Sequence, residues 1–113
     1  MISYQLFIKL SENITIQVGK LGLFAFPRGN YIYTGSARRN IEARIKRHIS
    51  NHKILRWHID YFLVNERTNI ITYRKTNIEE CLLNKECAGE IVVPSFGSSD
   101  CTSNCRSHLK LIK

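Results

Sequence analysis

The strongest constraint on this chain is a change of hydrophobic period between Gly29 and Ile49. In GNYIYTG the side chains repeat every two residues, so Tyr31 and Tyr33 point to one face of an extended strand. From Ile41 the repeat is four. Ile41, Ile45 and Ile49 form an i, i+4, i+8 stripe, with Asn40 in place as N-cap. Arg44 and His48, also four apart, lie one above the other along the edge of that stripe. The same phase leaves Arg38, Arg39, Lys46 and Arg47 to solvent or to phosphate.

The flanking segments extend the pattern. Tyr4, Leu6, Ile8 and Leu10 alternate along an opening strand, Ile2–Leu10. ITIQVGKLGLFAF reads as a hairpin turning at Gly19 to Gly22, and Pro27-Arg28-Gly29 makes the next turn. ILRWHIDYFLV reads as a short helix burying Leu55, Ile59 and Phe62, and NIITYRK as a third principal strand. NIEECLLNKECAG carries an Asn77 cap, carboxylates in its first turn and a stop at Gly89, the marks of another helix. The tail reads as an extended piece, a polar loop and a short closing strand. This order predicts an α+β class: a small antiparallel sheet with helices packed on it.

At 113 residues the expectation is one domain, 1–113, large enough to bury roughly two-thirds of its unfolded surface around a single core. Seventeen Lys and Arg stand against nine Asp and Glu, a formal charge of +8. That excess points to a polyanionic partner, because each phosphate neutralised releases condensed counterions. MISYQLFIKL has no basic lead-in, no cleavage site and no long apolar run, so a cytoplasmic protein without a membrane role is expected.

The marks VGKLGLFAFPRGNYIYTGSA, RIKRH, WHIDY, Glu80-Cys81 and FGSSDC…SHL, taken in order, carry a resemblance. The chain resembles the GIY-YIG nuclease superfamily and, within it, a small, mostly archaeal DUF123-type branch. The resemblance places the Gly-Ile-Tyr motif on Ile2-Ser3-Tyr4, where the glycine is absent, and the Tyr-Ile-Gly motif on Tyr33-Thr34-Gly35. It places the helix arginine on Arg44, an accompanying histidine on His48 and the metal-binding glutamate on Glu80. The asparagine near the end of many members has no counterpart, with only Asp100 and Asn104 near its place. These matches imply a Mg²⁺- or Mn²⁺-dependent DNA endonuclease. The alternative is a nucleic-acid-binding or DNA-repair accessory module, working beside a repair enzyme, that keeps the fold without catalysis.

The residue types suit the implied chemistry. Phosphodiester cleavage needs a base for water, a cation on the nonbridging oxygens and stabilisation of the leaving oxygen. A tyrosine with a nearby guanidinium can take the first role, a planar arginine fork the second, and Glu80 would hold an ion that keeps most of its waters. Each residue also has an ordinary use: strand tyrosines pack, Arg44 solvates a helix, Glu80 favours a helix start and His48 bonds its own helix end. His58 and Asp60 either reach the same cleft or bond each other. Cys101, Cys105 and His108 are three zinc-type ligands whose fourth would have to come from Cys81, Cys87 or Asp100. Their spacing fits no common finger, so a structural loop or a disulfide is the expected use.

Overall fold

The computed structural model describes residues 2–37, 39–50, 54–97 and 106–112. Strand β1 (Ser3–Leu10) is the backbone of the molecule. Its even positions Tyr4, Leu6, Ile8 and Leu10 are buried, and so are Ser3 and Gln5 on the other side. A strand covered on both faces belongs in the middle of a sheet. Antiparallel partners flank it: β4 (Gly29–Ser36) and β5 (Thr68–Thr76). Two short strands, β6 (Glu90–Ile91) and β7 (Leu109–Leu111), complete a five-stranded sheet in the order β5-β1-β4-β7-β6. All its pairings are antiparallel.

The hairpin forms a separate two-stranded sheet from β2 (Ile14–Val18) and β3 (Gly22–Phe26). Its connection needs Gly19 and Gly22, whose φ angles are +51° and +133°. Among the described residues, three α-helices complete the α+β architecture: α1 (Ile41–Ile49), α2 (His58–Leu63) and α3 (Glu80–Glu86). Helix α2 packs against the hairpin and brings Phe62 to 5.0 Å from Phe26 and 5.2 Å from Tyr31, ring centre to ring centre. Each such buried aromatic contributes about 1.5–3 kcal/mol of burial free energy. Helix α3 packs on β4 and β1, where Leu83, Gln5, Phe7 and Ile32 line one open groove. Among the described residues, no helix is long and apolar enough to cross a membrane.

Three helical expectations need correction. The buried face of α1 is Ile41, Ile45 and His48, while Ile49 is 51 % exposed. An i, i+4, i+8 series drifts by about 80° at 3.6 residues per turn, so the third isoleucine leaves the core face. Helix α2 starts only at His58, leaving Leu55 exposed. The Asp60 carboxylate accepts the N–H groups of Arg56 and Trp57, both at 2.9 Å, and this cap fixes the start. Helix α3 is capped by Glu79 and not by Asn77, through bonds from the N–H groups of Cys81 and Leu82. It ends at Glu86, before Gly89.

Candidate active site

Tyr4 and Tyr33 come from neighbouring strands. In the register of β1 and β4, Tyr4 faces Gly35 and Leu6 faces Tyr33, so the tyrosines meet diagonally with ring centres 6.5 Å apart. Gly35 makes this possible. A Cβ there would lie 2.5 Å from both Cζ and Oη of Tyr4, so the ring crosses the strand where only a glycine leaves room. The Tyr4 hydroxyl reaches His48 Nε2 at 2.6 Å. The His48 ring lies 5.5 Å from that of Tyr4 and 6.0 Å from that of Tyr33, closing a three-ring cluster between the sheet and α1.

Tyr4 is 1 % and Tyr33 8 % exposed. Burial pushes both phenols well above the ordinary tyrosine range. The neighbouring Tyr33 adds to the shift on Tyr4, the Glu80 charge adds to that on Tyr33, and the Arg44 guanidinium pulls both partly back. At neutral pH both are hydrogen-bonding O–H groups.

Ser36, the last residue of β4, ties the charged residues together. Its carbonyl accepts Arg44 Nη1–H at 2.7 Å, and its hydroxyl donates to Glu80 Oε1 at 3.1 Å. His108 Nδ1 lies 3.0 Å from Glu80 Oε2 and 3.1 Å from the Thr34 carbonyl. By strand alternation Thr34 and Ser36 face away from Tyr33 and Gly35. The arrangement therefore wraps the end of β4, with phenols and Arg44 on one side and Glu80 reaching round from the other. Arg44 is half-buried, its guanidinium 4.7 Å from the centre of the Trp57 ring. The Glu80 side chain is 25 % exposed.

A family model described as a domain of unknown function, DUF123, matches residues 3–113. The chain belongs to the DUF123 family. Searches of curated proteins and of solved structures return no match.

Not every cation expected at the surface of this DUF123 domain is there. Arg39 and Lys46 are exposed. Arg47, expected to face solvent or phosphate, is committed elsewhere. It donates to both Asp60 oxygens, at 2.9 and 3.0 Å, and to the Ile54 carbonyl at 2.7 Å, and lies 4.4 Å from the Trp57 ring centre. Burial pushes the Asp60 carboxyl up, but the hydrogen bonds from Arg47, Trp57 and Arg56 outweigh it and hold the group below the usual carboxylate range. His58 does not bond Asp60; its Nδ1 accepts the Gly97 N–H at 2.8 Å, and burial lowers its pKa.

Arg38, Cys101 and Cys105 lie outside the described residues. His108, grouped by sequence with those cysteines, sits against Glu80. Ser36, Trp57 and the contact of His108 with Glu80 are the parts of the arrangement that sequence reasoning missed. In YTGS the serine reads as an ordinary end of a strand, and only its place in space reveals its two partners. Among the described residues, no three or more His, Cys, Asp or Glu converge on one metal position. Glu80 is a single, partly exposed carboxylate with one donor on each oxygen. That donor set suits a hard cation that keeps most of its waters.

Proposed function

We propose that this DUF123 domain is a Mg²⁺- or Mn²⁺-dependent endonuclease hydrolysing a DNA phosphodiester where Tyr33, Arg44 and Glu80 meet. One observation carries the reading: Tyr4, Tyr33, Arg44 and Glu80 come from β1, β4, α1 and α3, and converge on the end of β4. The resemblance to GIY-YIG nucleases and the formal charge of +8 support it.

The reaction adds water across one P–O bond. The water oxygen bonds phosphorus, the ester bond breaks, one proton leaves the water and one ends on the departing oxygen. Glu80 would hold the cation, which when bound polarises a phosphate oxygen and acidifies a coordinated water. Arg44, anchored through one N–H to Ser36, offers its remaining donors to a nonbridging oxygen as charge develops. Tyr33, the tyrosine with the larger exposed fraction, orients the water and takes its proton as its own O–H hydrogen passes on toward the departing oxygen, and the Arg44 charge favours that relay. The Tyr4–His48 bond holds the second phenol in place beneath.

A second reading, a nucleic-acid-binding or repair accessory module, is favoured by the depth of Tyr4 and by the protonated state of both phenols. Nicking of supercoiled and branched DNA with Mg²⁺ or Mn²⁺, beside a binding titration, separates the two. Glu80→Gln should lose cleavage and keep binding. Arg44→Ala should lose affinity and also about 3–4 kcal/mol of transition-state stabilisation, two to three decades in rate. A wild type that binds but cuts no DNA form leaves the module reading standing.

A further inference from the structure

We infer that His108 is a positioning residue for the Glu80 carboxylate and sets how that carboxylate meets a divalent cation; this rests on Glu80 being the cation ligand. The backbone of His108 is pinned from both sides. Its carbonyl accepts the Thr34 N–H at 2.9 Å, and its own N–H donates to the Phe96 carbonyl at 2.8 Å. The side chain is buried, so the ring has a fixed place against β4.

The neighbours of Nδ1 fix its proton. Glu80 Oε2 at 3.0 Å and the Thr34 carbonyl at 3.1 Å both only accept, so Nδ1 carries the hydrogen and donates. The Ser36 hydroxyl donates to the other carboxylate oxygen, at 3.1 Å. Glu80 therefore carries one donor on each oxygen and cannot turn without breaking a bond. Each oxygen keeps lone-pair capacity for an ion approaching from the exposed side. Donors behind a ligating carboxylate orient it, and losing one typically costs ten- to a hundredfold in metal affinity.

The test is a Mn²⁺ titration of the full chain, with free Mn²⁺ read by electron paramagnetic resonance and no DNA present. Wild type should bind one ion, and Glu80→Gln should lose it. His108→Phe, which keeps bulk but no donor, should weaken binding ten- to a hundredfold. His108→Asn, whose amide N–H falls near the Nδ1 position, should restore most of that loss. Wild-type affinity in His108→Phe, or a loss in His108→Asn equal to that in His108→Phe, overturns the inference while Glu80 stays the ligand. If Glu80→Gln binds Mn²⁺ like the wild type, the reading of Glu80 fails and this inference with it. Should His108→Phe not fold, a long-range ¹H–¹⁵N correlation of the wild-type ring decides. Nδ1 must bear the proton and shift on Mg²⁺ titration, and an Nδ1 without a proton or without a shift overturns the inference.

Discussion

Between Tyr4 and Gly35 the paired strands leave no space for even a methyl group, because the phenol ring lies across the glycine. The backbone at Gly35 has no positive φ, so the demand there is for room alone. Gly35→Ala should therefore push the Tyr4 ring away from His48 and cost about 1–3 kcal/mol, the usual range for overpacking. Urea unfolding measures this, and a double-mutant cycle gives the cause. With the ring removed in the Tyr4→Leu background, the alanine should cost almost nothing. A penalty that persists without the ring would place the strain elsewhere.

Asp60 and Arg47 lock α1 to the start of α2, and their bonds carry a pH dependence. A carboxyl held low in the folded state binds its proton less well there than in the unfolded chain. Its contribution is full above the unfolded value of about 3.9 and is lost as pH falls through the lower folded value. Asp60→Asn should destabilise the protein near pH 7 by about 2 kcal/mol, since charged hydrogen bonds are lost at a buried group. The gap from the wild type should close in acid, as urea midpoints between pH 7 and pH 2 will show. A gap independent of pH would contradict the assignment.

At this scale much of the fold was legible. The period-two runs gave β1 and β4 their core faces, the two glycines gave the hairpin, and Asn40 does cap α1 by accepting the Ala43 N–H. The errors share one physical origin. Asn40 caps through a bond three residues away, which a sequence window sees. The start of α2 also depends on Arg47, thirteen positions away, bonding the capping Asp60. His48 took the core position assigned to Ile49 because Tyr4, from β1, supplies the partner that makes a buried imidazole acceptable.

For the whole molecule the same distinction holds. Tyr4, Tyr33, Arg44 and Glu80, grouped in sequence through a resemblance spread over most of the chain, do come together at the end of β4. Ser36 and the His108–Glu80 contact were not legible in the sequence, because they act through a carbonyl and through single hydrogen bonds between remote elements. The structure also revises the expected electrostatics. With Arg47 held by Asp60, the proposed phosphate contacts would fall mainly to Arg39, Arg44 and Lys46, with Arg38 preceding them in sequence. Log K for duplex DNA should then fall with log salt at a slope of roughly −3 to −4 for three or four contacts. A flat response would remove the nucleic-acid partner. A slope well beyond that range would mean that other cations of the chain take part.

The claim on which the account turns is that the end of β4 holds a divalent cation beside the two tyrosines. A crystal soaked in Mn²⁺ and measured at the manganese absorption edge tests it directly. One anomalous peak is expected at a Glu80 carboxylate oxygen, completed by waters, with Arg44 and Tyr33 facing the same opening. No ion at Glu80, or an ion bound only elsewhere on the chain, would contradict it.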